Sequence, residues 1–200
     1  MVKDGDGETG ASPELAPPHT SRTCSACELC CTVMAVRELG KPPARRCSLI
    51  SPQGGCGAWG AHPSSCKSFT CLWLRSDDIL PPEMFPLACG FLLALDQTEA
   101  WPTAVKVCVD PGRPTAWDQP RHRALFVRLA ASWNCPVVVM DSDGRGKLAF
   151  APSGRIFERS ARPDIFPLDG RALAVPADDY GPDRRSPAQR IAAAGFRWAD

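Results

Sequence analysis

Apolar residues are densest in the middle of the chain, where their spacing predicts strands. Residues 89–97 and 104–110 are rich in apolar side chains, and the second run alternates β-branched residues with others. Both patterns are typical of strands. Further on, apolar segments flank the polar stretch DSDGRG at 141–146, which predicts a β-hairpin, and the segment GRIFE at 154–158 continues it.

Between the second strand and the hairpin, the apolar spacing becomes helical. Residues 118–133 are predicted to form an amphipathic helix, with Asp118 as its N-cap and Pro120 in its first turn. Apolar positions recur at every fourth residue: Leu125, Leu129 and Trp133. The ββαββ order predicts an α+β fold, a small, mainly antiparallel sheet with one main helix on a face.

Composition divides the chain into four parts. Residues 1–22 are rich in Gly, Pro, Ser and acidic residues and predict a disordered leader. Residues 23–75 are rich in loops and cysteine and contain few apolar residues. We expect this segment to need a further source of stability, such as bound metal. The α+β domain is predicted at 76–175. The tail at 176–200 contains a predicted short helix, residues 186–196.

Length and charge exclude several classes of protein. The chain has 200 residues and a formal net charge of +1, which argues against general attraction to nucleic acid or anionic membranes. The longest apolar stretch, 87–95, is too short to span a bilayer, and the first residues lack the apolar run of a secretory signal. We therefore expect a cytoplasmic protein that binds neither membrane nor nucleic acid, with an unidentified protein as its partner.

The eleven cysteines fall into two populations. Cys89, Cys108 and Cys135 are scattered through apolar segments and are interpreted as small core residues. The other eight are clustered near the N-terminus: Cys24, Cys27, Cys30, Cys31, Cys47, Cys56, Cys66 and Cys71. In a reducing compartment, a cluster of this density favours metal binding over disulfides. These eight residues are the predicted metal ligands.

The start of this cluster, CSACELCC, contains two overlapping C-x-x-C motifs. A C-x-x-C turn lets both sulfur atoms face inward, so Cys24, Cys27 and Cys30 are predicted to line one concavity, as in ferredoxins. Side chains of adjacent residues diverge, so we expect Cys31 to bridge to a second set of ligands. Eight thiols suffice for two tetrahedral zinc ions or for one iron–sulfur cluster with spare thiols.

Charged residues near the cluster have weaker predicted roles. His62 lies inside the cluster, where we favour a loop position or contact with a ligand over direct ligation. Arg45, Arg46 and Lys67 could donate hydrogen bonds to thiolates or offset their charge, although a solvated surface explains each of them singly.

The cysteine pattern resembles the YkgJ-type cysteine-cluster family of zinc- or iron-chelating and iron–sulfur proteins. The resemblance covers about residues 24–73. The matching positions are the four cysteines of CSACELCC, then Cys47, Cys56, Pro63, Cys66 and Phe69. Trp59, His62 and Lys67 depart from the family pattern around the thiols, which puts any role of the usual arginine before Pro63 in doubt. The thiols themselves are retained.

These observations predict a metal-binding protein that holds an iron–sulfur cluster or zinc, with a slight preference for the cluster. The cluster would make it an electron-transfer or oxidoreductase component, whereas zinc would make it a structural or interaction module. The resemblance also implies a third alternative, because a flagellin lysine methylase carries a similar cluster. No nucleotide-binding or serine-hydrolase motif is visible, and whether the protein is an enzyme stays open.

Overall fold

The computed structural model describes residues 21–24, 27–75, 77–98 and 101–158. The predicted tail and its helix at 186–196 lie outside the described residues, as do residues 1–20 of the predicted leader. In the described part, no helix is long and apolar enough to cross a membrane.

Five strands form a single sheet, with each strand beside the next one in sequence. They are β1 (Phe91–Thr98), β2 (Trp101–Val109), β3 (Val137–Met140), β4 (Gly146–Phe150) and β5 (Ile156–Glu158). All neighbours pair antiparallel except β2 and β3, which are parallel. The prediction of a small, mainly antiparallel sheet is therefore confirmed. The parallel pair follows from the chain path, because a helix connects β2 to β3 and returns the chain to the end of the sheet at which β2 begins.

The main helix is the last of five helices in the described part of the chain, and it crosses one face of this sheet. The five are α1 (Leu29–Val33), α2 (Ser64–Lys67), α3 (Leu72–Arg75), α4 (Pro86–Cys89) and α5 (Pro120–Trp133). Helix α5 buries Leu125, Leu129 and Trp133, which confirms the predicted apolar face. Three-residue 3-10 helices occur at Arg37–Leu39, Pro82–Met84 and Ala116–Asp118.

The predicted N-cap of the main helix is wrong. Gln119, not Asp118, occupies the cap position, and no side chain there accepts a hydrogen bond from the first turn. Asp118 instead ends the preceding 3-10 helix and accepts a hydrogen bond from Arg123 Nη1 at 2.6 Å. Pro120 begins the helix as predicted, since its fixed φ suits the first turn.

Alternate residues of β1 face opposite layers. Phe91 and Leu93 pack in the main core beneath α5, whereas Leu92 and Ala94 face the other side of the sheet. Helix α1 covers that second side with Leu29 and Val33. The strand period of two therefore places the sheet between α5 and the cysteine-rich segment.

Residues 23–75, the cysteine module, contain only short elements. Besides α1, α2, α3 and one 3-10 helix, two isolated bridges pair Val36 with Lys41 and Ile50 with Cys56. Backbone bonds such as Ala44 N to Val33 O, at 3.3 Å, connect its loops. The module therefore places its cysteines on loops and single helical turns.

Candidate metal centre

The eight predicted ligand cysteines line one cavity of about 1690 Å³ between the loops of the module and the sheet. All eight are free thiols of intermediate exposure, and we call this space the cysteine cavity. Cys108 of β2 also lies along its wall but is only 8 % exposed. Folding thus brings together thiols that are up to 47 positions apart in the sequence, from Cys24 to Cys71.

The first four thiols are positioned by a turn followed by α1. Cys27 N donates a hydrogen bond to Cys24 O at 2.9 Å, which closes the turn of the first C-x-x-C motif. Cys30 and Cys31 then lie in α1. Successive helical residues are rotated by roughly 100° because a turn contains about 3.6 residues. The Cα–Cβ bonds of the adjacent cysteines therefore differ in direction, but their two thiols still lie within hydrogen-bond reach of each other.

Cys30 links its two neighbours through hydrogen bonds. Its thiol is hydrogen-bonded with those of Cys24 and Cys31. These bonds lower the pKa of Cys24 and of Cys31 to about 7, against the opposing effect of burial. The same contacts, together with burial, raise the pKa of Cys30. A thiol that ionises near neutral pH is a competent metal ligand, since the thiolate is the binding form.

One backbone N–H group donates to a sulfur atom of the cavity: Leu49 N lies 3.5 Å from Cys47 Sγ. Burial raises the pKa of Cys27 and of Cys71, and nearby backbone N–H groups partly offset the increase at both. An anionic sulfur is a better acceptor than a neutral one, so such donors favour thiolate. The local backbone therefore suits ionised, metal-bound sulfur.

Cys47 and Cys56 lie on loops and Cys66 lies in α2, all of them away from the first C-x-x-C motif. Cys47 N donates to Cys31 O at 2.9 Å, and the bridge between Ile50 and Cys56 brings the next thiol back toward it. Burial raises the pKa of Cys66, and the charges of Cys31, Cys47 and Cys56 add to the increase. These four thiols are therefore close enough to repel one another when ionised.

Cys71 lies deeper and beside a different set of thiols. It packs against the apolar cluster that contains Leu92 of β1. Burial raises its pKa to about 11, and the charges of Cys27 and Cys24 act in the same direction. Without a cation, ionisation at this position is costly; a bound metal would reverse that balance.

The module also contains a buried cation. Lys41 is 9 % exposed, and its Nζ donates to three backbone carbonyls: Thr32 O at 3.1 Å, Pro42 O at 3.2 Å, and Met34 O. Burial lowers the pKa of Lys41, while nearby thiols oppose the shift. Those thiols are Cys47, Cys31, Cys30 and Cys66. No carboxylate of the described residues pairs with this ammonium, so the thiols are the anionic groups available to it. Sequence reasoning missed Lys41 because nothing local marks a lysine as buried.

His62 lies in a loop at the edge of the cavity. Its ring stacks on Trp59 with centroids 5.1 Å apart, and Nδ1 accepts a hydrogen bond from Gly60 N at 3.1 Å. Trp59 is 74 % exposed. Among the predicted basic neighbours, Arg46 forms an ion pair with Glu28 at 3.1 Å, and Lys67 lines the cavity.

The three remaining cysteines are core residues, which confirms their prediction. Cys89, Cys108 and Cys135 are all buried. The Cys89 thiol lies 3.2 Å from Phe91 O and 3.6 Å from Met84 O, so it must donate its proton to them. This is the opposite arrangement to Cys47, whose sulfur faces an N–H group.

Within the described ranges, no three Cys, His, Asp or Glu side chains already surround one metal position. The donor chemistry nevertheless fits zinc and iron–sulfur clusters, since both bind thiolates. Binding would therefore require the sulfur atoms of the cavity to draw together.

The chain matches no protein-family model, no curated protein and no solved structure. The resemblance to the YkgJ-type family stays a prediction from the cysteine spacing.

Proposed function

We propose that this protein binds metal through the thiolates of the cysteine module, as an iron–sulfur cluster or as zinc. The observation that carries the proposal is the convergence of eight unpaired, half-buried thiols on one cavity. Their placement on loops and single turns gives the chain freedom to close around a metal.

Electrostatics supports a cation in the cavity. Burial and mutual repulsion raise the pKa values of Cys66 and Cys71, which disfavours several ionised thiols without a counter-charge. At the same time, a backbone N–H group donates to Cys47, as a thiolate requires. A bound metal resolves this conflict, because it neutralises the sulfur charge and deprotonates its ligands.

The iron–sulfur cluster is our first candidate. Cys24, Cys27 and Cys30 form the C-x-x-C-x-x-C run that supplies three cluster ligands in ferredoxins, and Cys71 is the remote fourth thiol near them. A cluster would make the protein an electron-transfer or oxidoreductase component.

Zinc is the second candidate, supported by the small apolar content of the module. Four thiolates complete a tetrahedral zinc site, and such a site can replace a missing core. The protein would then be a structural or interaction module. A cluster-dependent lysine methylase stays a prediction of the resemblance alone.

Metal and sulfide analysis of anaerobically purified protein tests the proposal. Iron with sulfide and a broad visible absorption that bleaches on reduction would identify the cluster; zinc in a colourless protein would identify the structural site. Protein that purifies folded but without either metal, and does not take one up, would refute the proposal.

Replacing Cys27 and Cys30 together by Ser should lower the metal content, because the variant lacks two ligands of the same site. The matched control is Cys135→Ala, which removes a fully buried thiol outside the cavity. We expect the control to keep its metal, and unchanged metal content in the double variant would contradict the proposed ligands.

A further inference from the structure

The sulfur atoms of the cavity fall into two groups, which separate at the adjacent pair Cys30 and Cys31. Cys30 packs with the apolar cluster of Leu29, Val33 and Leu92 against the sheet. Cys31 is not part of that cluster; its backbone carbonyl instead accepts the N–H of Cys47. Cys30 therefore faces the sheet and Cys31 the outer loops, although the two thiols remain in contact with each other where the groups adjoin.

The inner group consists of Cys24, Cys27, Cys30 and Cys71. Three of its members, Cys27, Cys30 and Cys71, contact the apolar cluster beneath β1. Cys24 joins them through the turn hydrogen bond to Cys27 and the thiol contact with Cys30. The charges of Cys27 and Cys24 act on the Cys71 thiol, although more than forty residues separate it from them in the chain.

The outer group consists of Cys31, Cys47, Cys56 and Cys66. Backbone contacts connect its first three members: Cys47 N donates to Cys31 O at 2.9 Å, and the Ile50 bridge brings in Cys56. Cys66, in α2, interacts electrostatically with these three thiols. None of the four packs in the apolar cluster beneath β1.

The buried ammonium of Lys41 interacts with thiols of both groups, mostly those of the outer group. Thiols from both act on its charge, Cys30 from the inner group and Cys31, Cys47 and Cys66 from the outer. Three backbone carbonyls hold its ammonium in place. A metal bound by four thiolates carries a net negative charge, and a buried lysine near such a centre would offset part of it.

We infer that the cysteine cavity holds two separate metal centres, each with four thiolate ligands: the inner group binds one and the outer group binds the other. This inference rests on the proposed function. Four sulfur ligands complete either a tetrahedral zinc site or a single cubane cluster, so each group has the number that one centre needs.

Native mass spectrometry of the anaerobically purified full chain tests the inference without any variant. The mass excess over the apoprotein identifies the metal and counts the centres, and we expect two centres per chain. One centre per chain would overturn the inference while leaving the proposed function intact. Protein with no metal, before and after reconstitution with zinc or with iron and sulfide, would overturn both.

Two single variants then test the assignment of ligands. Cys71→Ser should lose the inner centre and Cys56→Ser the outer one, so each should retain half of the wild-type metal. Cys89→Ala, a buried thiol outside both groups, is the control and should retain two centres. If both variants lose all of their metal while the sheet stays folded by circular dichroism, the eight thiols serve one centre and the inference is wrong.

Discussion

The sheet region, residues 86–158, and the cysteine module, residues 23–75, differ in how many large apolar side chains they bury. Most of the fully buried large side chains belong to the sheet region, among them Trp133, Phe91, Phe126 and Phe150. The module has few buried apolar residues of its own. These are Leu29, Val33, Val36 and Leu72. A segment with so small a core gains from another source of stability, and metal bound by its clustered thiols is the one that we propose.

The same residue type behaves differently in the two regions. Burial raises the pKa of Cys108 and Cys135 to about 12, so both are neutral packing residues. Hydrogen bonds with Cys30 lower the pKa of Cys24 and Cys31 to about 7. Neighbouring thiols and donors, rather than burial alone, therefore decide whether a cysteine is inert or reactive.

Metal removal should produce the largest difference in order between the two regions. After chelation under reducing conditions, we expect the module to lose order and the sheet to keep it, because metal binding in small sites contributes on the order of 10 kcal/mol. Hydrogen exchange measures this directly. The amides of Val36, Cys47 and Gly57, which donate to distant carbonyls, should exchange orders of magnitude faster. Unchanged protection there would show that the module folds on its own packing.

Phe126→Ala should damage the sheet region and spare the metal. Phe126 is fully buried and packs against Phe91 and Phe150 with ring centroids 5.4 and 5.5 Å apart. We expect the free energy of unfolding to fall by about 3–5 kcal/mol in urea titrations. Phe126→Leu is the matched control and should cost less, about 1.5 kcal/mol at most. Metal loss from folded Phe126→Ala protein would show that the regions are not separable.

Lys41→Met should weaken the module by a smaller amount. The substitution leaves the carbonyls of Thr32, Met34 and Pro42 without the ammonium donor, which costs roughly 1–3 kcal/mol. It also removes the positive charge beside the thiols, so metal affinity, measured by competition with a chelator, should fall. Lys41→Arg retains the charge and should keep more of that affinity. Equal affinities for Met and Arg variants would exclude the charge as the cause.

The smallest expected effect is a pH dependence centred on His122. Its Nδ1 donates to Ala116 O at 2.8 Å, while the buried Nε2 has no partner among the described residues. Burial lowers the pKa of His122, so the unfolded chain takes up a proton first as the pH falls below about 6.5. The free energy of unfolding should therefore decrease from that pH downward.

His122→Gln should remove this contribution. The difference in urea stability between wild type and variant is the relevant measurement, since it cancels pH effects on the thiols. A difference that does not change between pH 7.5 and 5.5 would mean that His122 does not titrate differently on folding.

The helix and strands of the sheet region were predictable, because near neighbours carry their periodicity. The deviations have local causes. Residues 89–97 were predicted as a strand, but Cys89 ends α4 and Gly90, with φ of 83°, separates it from β1. A side chain at Gly90 would come within 2.7 Å of Ala116. Residues 104–110 correspond to β2, which begins earlier, at Trp101, because pairing with β1 extends it.

The spacing of the thiols was enough to mark residues 24–71 as a candidate metal-binding segment. Only the tertiary structure decided which distant cysteine lies near which. It brought Cys27 and Cys71 to one apolar cluster beneath the sheet and placed Cys66 in α2, outside that cluster. The reason is physical: local periodicity depends on adjacent residues, whereas contacts across a loop depend on the whole path of the chain.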